Sequence, residues 1–421
     1  MPHDMNASGY FNSPWPCEDA GPARMQSPHH VAGLNLQKNE RLACTTRHTW
    51  MSTMTVLGDP GEVYLMHHSA LRAKWGQATT ACIELIDPIS LKTQCKSPRL
   101  AGGPMWPGGM AVHRNGSLLA VYGRYAHKLN RQCKLLASKK LPVNQAYNSF
   151  VILDNGFLVT KNLSDVHAAH LSVLNPDTLE IACPEIVCPE PSVARLSAAG
   201  NSVYVVGVRS IFRYVWDQSL NTLVQDLDWK FEYLKGSPNS YGWDVVLDGR
   251  DAWFMDNGAH RYQINMVHAG VKPTANRLIR VSLTNSQDHQ AWPICGLPGG
   301  SITNPPLIDI QRSIVMGYDS ANRHLQAWRF ERDNLNLKAL WQKSDFGCAS
   351  HMLLFSDTAE LCVNDYRRFQ EQVVVLNIET GEEKARVKSG GLMQGVVFPS
   401  VGWNRDFYWS SMGRLARIHV N

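Results

Sequence analysis

One phrase recurs along most of this chain: an alternating apolar strand, a turn rich in Asp, Asn, Pro or Gly, and a second strand. Examples are IELIDPISLKTQ from Ile83, LSVLNPDTLEIA from Leu171 and VVVLNIETGEEKARV from Val373. Asp and Asn in such turns bond to their own backbone, so each phrase predicts a β-hairpin. A second hairpin precedes each one, as in MLLFSDTAELCVND. The unit is therefore four antiparallel strands, A to D, over about 40 to 50 residues, which is typical of a β-propeller blade.

Eight such units begin near residues 48, 106, 147, 192, 241, 303, 350 and 393. The last unit supplies strands A to C only, and NERLACTTR, just before the first unit, is suited to supply its outer strand. The predicted fold is all-β: a β-propeller of about eight four-stranded blades, closed by an N-terminal strand that completes the C-terminal blade. Seven blades is the alternative. Residues 1–38 are predicted to be a flexible or strap-like arm, and residues 39–421 a single propeller domain.

Beyond residue 40 the chain resembles the bacterial PQQ-like, or quinoprotein-type, β-propeller repeat proteins. The hairpins at Leu171 and Val373 carry this resemblance, because they come close to the C–D hairpin of that family. It implies the architecture and not an activity, since propellers host unrelated chemistries. The sequence lacks the vicinal Cys pair and the secretory signal of PQQ dehydrogenases, so PQQ is not the expected cofactor.

Composition narrows the classes of partner. The net charge of +5 is spread along 421 residues without a Lys/Arg run, so no nucleic-acid partner is expected. No stretch of about 18 apolar residues predicts a membrane span. The N-terminus lacks the basic start and apolar run of a signal peptide, so we expect a cytoplasmic protein whose 10 Cys are reduced.

Polar and aromatic residues recur at one end of the predicted strands. In a propeller the D–A and B–C connections lie on one face, so the start of strand A and the end of strand B point to the same axial mouth. The residues at or near the predicted strand A entrances are His48, Trp106, Asn148, Arg195, Tyr241, Trp243, Asp244, Asn304, His351 and Gln394. Those at the exits of strand B include Lys161, Asp256, Asn257, Asp319, Asn364 and Asp365. Because the strands between them are apolar, the pattern predicts a polar funnel around the ring axis.

The funnel contains the residue types that acid–base chemistry needs. His48, His351 and Asp244 are candidate bases, and Arg195 and Lys161 are candidate partners for an anion or a developing oxyanion. The predicted substrate-binding residues are Trp106, Asn148, Tyr241, Trp243, Asp256, Asn257, Asn304, Asp319, Asn364, Asp365 and Gln394. No cofactor is specified by the sequence, although oxygen atoms of Asn148, Asp244 and Asn304 are of the kind that binds Ca²⁺.

Three functions are compatible with this pattern. The first is an intracellular enzyme that acts by acid–base chemistry, as an isomerase, lyase or hydratase, or hydrolase, on a small, partly apolar molecule with a polar or anionic group. The second is a non-catalytic binding or scaffold propeller, and the third, less favoured, is a quinoprotein-like dehydrogenase. If Asp244 and His351 face the funnel, their replacement is expected to change stability little.

Overall fold

The chain folds as an all-β ring. A computed structural model describes residues 8–28, 31–69, 72, 75–104, 107–258, 274–331, 336–393, 395 and 398–421. Within them, 31 strands form seven sheets, six of four strands and one of seven. The seven-stranded sheet is two blades joined by one long strand, so the strands make eight blades, as predicted from the repeat.

The strands are numbered in chain order, and the innermost strand of each blade is strand A. Blade 1 contains the second half of β1 (Leu42–Leu57), β2 (Val63–His68), β3 (Thr79–Ile86) and β4 (Thr93–Lys96), and β5 (Leu100–Gly103) also pairs with β3. Blade 2 is β6 (Gly109–Val112), β7 (Leu118–Tyr122), β8 (Tyr125–Leu129) and β9 (Leu135–Lys140). Blade 3 is β10 (Tyr147–Ile152), β11 (Leu158–Asn162), β12 (Ser164–Leu174) and β13 (Ile186–Ser192). Blade 4 is β14 (Ser197–Ala199), β15 (Ser202–Val206), β16 (Ile211–Asp217) and β17 (Thr222–Phe231).

The second half of the ring repeats this order. Blade 5 is β18 (Val246–Leu247), β19 (Asp251–Met255), β20 (Arg277–Ser282) and β21 (His289–Pro293). Blade 6 is β22 (Leu307–Asp309), β23 (Ile314–Asp319), β24 (His324–Phe330) and β25 (Leu337–Lys343). Blade 7 is β26 (Leu353–Phe355), β27 (Glu360–Arg367), β28 (Gln370–Asn377) and β29 (Glu383–Lys388). Blade 8 is β30 (Ser400–Val401), β31 (Asp406–Val420) and the first half of β1. Two 3-10 turns are also described, Glu18–Ala20 and Ser356–Thr358.

The ring closes as predicted. β31 folds back on itself near Gly413, which has a φ of +83°, so that Val420 N donates to Arg405 O. Its last residues pair with the first half of β1, from Leu42↔Val420 to His48↔Arg414. The N-terminal strand is therefore the outer strand of the C-terminal blade. The first half of β1 thus covers the edge of β31, which would otherwise be unpaired. The second half of the same strand continues as the inner strand of blade 1.

The predicted turn chemistry is also present. In the C–D hairpin of blade 7, Asn377 Oδ1 accepts hydrogen bonds from the backbone N–H groups of Glu379 and Thr380. Gly381 closes this turn with a φ of +72°, and a Cβ there would lie 2.6 Å from the Trp341 ring of blade 6. Trp341 Nε1 donates to Ile378 O at 2.8 Å, so this hairpin turn also contacts the neighbouring blade.

Apolar side chains from adjacent blades fill the spaces between sheets, and the largest cluster joins blades 5, 6 and 7. All ten cysteines lie in the described residues as free thiols. The described part of the chain has no helix long and apolar enough to cross a membrane.

The N-terminal arm occupies the ring axis. Each innermost strand pairs along one edge only, so its other edge faces the axis. Carbonyl groups of the arm accept hydrogen bonds from this edge in five blades: Leu57 N to Trp15 O, Val112 N to Pro16 O, Ala198 N to Pro22 O, Leu247 N to Ala23 O and Leu354 N to Gln26 O. Because these donors come from blades all around the ring, residues 15–26 must lie at its centre.

Candidate active site at the ring axis

The arm brings three charged residues to the axis. Arg24 is 1% exposed, and its guanidinium contacts Glu18 Oε1 at 2.7 Å and Asp19 Oδ2 at 2.9 Å. Its Nε donates to Leu196 O at 2.9 Å. Ser149 Oγ of blade 3 donates to Glu18 Oε1. These bonds fix the arm to the inner strands and bury two carboxylates beside one cation.

Four residues of the ring meet this arm from equivalent positions. Arg195, Asp244, His351 and Phe398 each lie two residues before strand A of blades 4, 5, 7 and 8. All four are at most 3% exposed. The equivalence explains why they converge, since the same position in successive blades projects toward the same level of the axis. We call these four residues, together with Glu18, Asp19, Arg24 and Lys161, the axial layer.

Arg195 spans the axis. Asp244 Oδ1 accepts from the backbone N of Arg195 at 2.7 Å, and Oδ2 lies 3.3 Å from Nη1 of the same residue. The guanidinium also lies 4.4 Å from the centre of the Phe398 ring, which belongs to a different side of the propeller. Burial raises the pKa of Asp244, but Arg195 and Arg24 outweigh it, so the pKa is lower than usual. Asp244 is therefore a buried carboxylate that neutralises two arginines.

His351 is held by the arm. Its Nδ1 lies 2.8 Å from Asp19 Oδ1, and its ring centre lies 4.1 Å from that of Phe398. A carboxylate accepts, so Nδ1 carries a proton. Nε2 has no hydrogen-bond partner among the described residues. Arg195 Nε and Glu18 Oε2 lie 3.7 Å apart and form an ion pair with each other. The arrangement is that of an imidazole oriented by a carboxylate to act as a base.

Lys161 approaches the layer from strand B of blade 3. Its side chain is completely buried, and Nζ donates to Ser192 O at 3.1 Å. Burial lowers the pKa of Lys161 to about 7, and the opposing attraction of Asp244 recovers only part of the shift. An amine with this pKa can both accept and donate a proton near neutral pH.

Most of the other predicted funnel residues form hydrogen bonds to backbone groups of the loops around the mouth. Asn364 Oδ1 accepts from the backbone N of Ala349 at 3.0 Å and of Ser350 at 3.1 Å, which ties the D–A loop to strand B. The same role, bonding to backbone groups of a neighbouring loop or strand, is seen at Asn148 (to Val193), Asp256 (to Arg277), Asn257 (to Tyr241 and Ile302), Asn304 (to Ala349), Asp319 (to Ser301) and Asp365 (to Gly347). These side chains hold the loops around the mouth, and their hydrogen bonds leave less capacity for a substrate.

The remaining predictions divide three ways. His48 lies in the closing strand, opposite Arg414, with an exposed side chain, so it belongs to the perimeter and not to the axial layer. Trp243 packs in the largest apolar cluster, and Tyr241 Oη lies 3.5 Å from Asp165 Oδ2. Trp106 and Gln394 are outside the described residues.

Sequence reasoning missed the arm's contribution, namely Glu18, Asp19 and Arg24, and it also missed Phe398. Position relative to strand A would have identified Phe398. No repeat or spacing marks the arm residues, because they lie before the first repeat unit.

The axial layer does not fit the cofactors considered for this fold. A Ca²⁺ ion needs free oxygen ligands, but the guanidinium of Arg195 contacts Asp244 Oδ2, and Arg24 lies 4.0 Å from the same oxygen. A quinone cofactor needs a flat slot with a cation beside it, whereas here the guanidinium of Arg195 covers the Phe398 ring.

Comparisons with known proteins give the fold. No protein-family model matches the chain, and no curated protein matches it in sequence. The quinohemoprotein alcohol dehydrogenase ADHIIG from Pseudomonas putida superposes with a TM-score of 0.61 at 9% identity, covering 97% of this chain and 80% of that one. BamB from Moraxella catarrhalis gives 0.52 at 11% identity, covering 90% and 99%. The Cps50 (Swd1) propeller domain from Myceliophteria thermophila gives 0.50 at 8% identity, covering 91% and 100%. One of these neighbours is a dehydrogenase and another a β-propeller domain, so the comparisons show a β-propeller fold, consistent with the PQQ-like resemblance, and identify no subfamily.

Proposed function

We propose that the protein is an intracellular enzyme that performs acid–base chemistry on a small organic molecule at the axial layer. The observation that carries this proposal is the pairing of His351 with Asp19, because Nε2 of this buried imidazole has no hydrogen-bond partner in the part of the chain that the structure describes. Buried titratable groups with specific charged partners are typical of acid–base sites.

Each group then has a distinct role. His351 Nε2 removes a proton from the substrate, and Asp19 stabilises the imidazolium that results. Lys161 donates or accepts the second proton, because its pKa of about 7 keeps both forms populated at neutral pH. Arg195, whose Nε lies 3.7 Å from Glu18 Oε2, supplies the guanidinium that stabilises a substrate carboxylate or a developing oxyanion. Proton removal at one position and return at another gives an isomerisation, and loss of a leaving group instead gives an elimination.

The same contacts define the substrate class. Phe398 offers an aromatic face between His351 and Arg195, and Arg195 offers a positive charge. A small molecule with one anionic group, a carbonyl or hydroxyl group and a short apolar part matches this pair. It would enter from the mouth formed by the D–A and B–C loops, because the arm fills the axis from the opposite side.

The test is a screen for proton chemistry in D₂O. The full chain is incubated with a panel of small 2-oxo and 2-hydroxy carboxylates, and ¹H NMR follows loss or conversion of the C–H signals. We expect at least one compound to react, and His351→Gln and Lys161→Met to slow that reaction by about 100-fold or more. His48→Gln is the matched control, since His48 is exposed on the perimeter, and it should react at the wild-type rate. Failure of every compound, or wild-type rates in both axial variants, would overturn the proposal.

A second candidate is a binding propeller without catalysis. It is favoured by large exposed apolar side chains on the mouth face of blades 7, 8 and 1: Phe369 is 80% exposed, Leu392 71% and Trp50 62%. Exposed apolar groups on a rim are typical of protein-binding surfaces. The D₂O screen separates the two functions, because a scaffold predicts no reaction at all.

A further inference from the structure

Three side chains of metal-ligating type lie together on one face of blade 1, away from the axial layer. His67 is in β2, and Cys82 and Glu84 are in β3. His67 is the direct cross-strand partner of Cys82, and Glu84 follows two residues later, so all three side chains point to the same face. One ligand atom from each lies within 4.8 Å of the other two.

The carboxylate of Glu84 is already oriented. Its Oε2 accepts from Arg47 Nη2 at 2.5 Å and from Thr93 Oγ1 at 2.7 Å. Its Oε1 lies 3.0 Å from His67 Nε2. One oxygen is therefore anchored by two donors while the other faces the imidazole. Outer hydrogen bonds of this kind orient the ligands of metal sites.

We propose that His67, Cys82 and Glu84 bind Zn²⁺. A thiolate, an imidazole and a single carboxylate are ligands that zinc accepts together, whereas Ca²⁺ and Mg²⁺ require oxygen ligands. Zinc bonds of about 2.0 to 2.3 Å place ligand atoms of a tetrahedral site about 3.5 Å apart, so only a small closure of the cluster is needed.

The surroundings of the cluster suit a zinc site with three protein ligands and a fourth coordination position open to water. His67 is 9% exposed and Glu84 5%, so both are screened from bulk water, while Cys82 is half-buried and leaves a path to solvent. Three protein ligands with a fourth position left for water are typical of reactive zinc sites. Arg47 belongs to the closing strand, so the ion would also link blade 1 to blade 8 through Glu84.

The test uses the full chain after removal of metal with a chelator. Calorimetric titration with ZnCl₂ should give one equivalent bound, and Cys82→Ser and His67→Gln should each weaken binding by at least about 10-fold. Cys44→Ser is the matched control, because Cys44 is also half-buried but lies outside the cluster. Absence of zinc binding, or wild-type affinity in both ligand variants, would overturn the proposal.

A second measurement covers the case in which the variants do not fold. Co²⁺ added to the wild-type chain should give a thiolate-to-cobalt charge-transfer band if Cys82 is a ligand. A Co²⁺ complex without this band would overturn the site on the wild-type protein alone. Asp19, Asp244 and His351 of the axial layer also lie within 4.8 Å of one another, but they include no thiol. The charge-transfer band therefore reports on a thiolate site and is independent of the proposed catalytic function.

Discussion

At the scale of single residues, the axial layer is a set of charges that neutralise one another inside the ring. Asp244 was expected from the sequence to face an open funnel, where replacement changes stability little. It is instead fully buried between Arg195 and Arg24. We therefore predict that Asp244→Asn lowers the free energy of unfolding by about 3 to 5 kcal/mol, because Arg195 loses its nearest buried carboxylate. Urea denaturation measures this, with Asp177→Asn, at an exposed carboxylate, as the control; equal midpoints for the two variants would refute the arrangement.

Lys161 gives a pH-dependent prediction. The unfolded chain has a lysine pKa of about 10.4, and burial lowers that of Lys161 to about 7 in the folded protein. Between pH 7 and 10 the unfolded state therefore binds more protons, so stability from this group rises with pH. Lys161→Met should be more stable than wild type near pH 6.5, and the gain should shrink toward pH 9.5. Denaturation at several pH values checks this, with the exposed Lys38→Met as control, and a gain that does not change with pH would contradict the buried amine.

At the scale of elements, the arm is part of the propeller core. The sequence predicts a flexible or strap-like arm, and in the structure five inner strands donate backbone hydrogen bonds to its carbonyls. Each buried N–H donor that loses its acceptor lowers the free energy of unfolding by about 1 to 3 kcal/mol. We predict that deletion of residues 1–30 abolishes cooperative folding or strongly lowers the denaturation midpoint, and that Arg24→Met gives a smaller loss. Circular dichroism during urea unfolding measures both, and a deletion with the wild-type midpoint would show that the arm only lies against the ring.

At the scale of the whole molecule, the sequence was informative where the structure repeats. Asx turns such as that at Asn377 recur in several blades, for example at Asp87, Asn130 and Asn175, so the eight units and the closing strand could be predicted. The axial positions of Arg195, Asp244, His351 and Lys161 followed from the same repeat. The roles of individual Asn and Asp residues did not follow, because a carboxamide that binds a loop and one that binds a substrate look alike in sequence.

The arm illustrates a second limit. Five of its contacts to the inner strands use backbone carbonyls, which every residue possesses, so these contacts leave no residue pattern to find. The charges at Glu18, Asp19 and Arg24 pair with one another locally, but their partners in the ring, such as His351 and Asp244, lie far away in sequence. Such pairings become visible only when the ring is assembled.

The central claim is that the arm positions His351 as a base by placing Asp19 against its Nδ1. The most direct measurement is ¹⁵N NMR of the histidine rings in the labelled full chain, with the His351 signals assigned by their loss in His351→Gln. We predict a neutral ring with a proton on Nδ1 that is hydrogen-bonded and slow to exchange, and a lone pair on Nε2. Asp19→Asn should abolish this pattern at His351 and leave His48 unchanged. An Nδ1 signal of His351 that is the same with and without the Asp19 carboxylate would contradict the account.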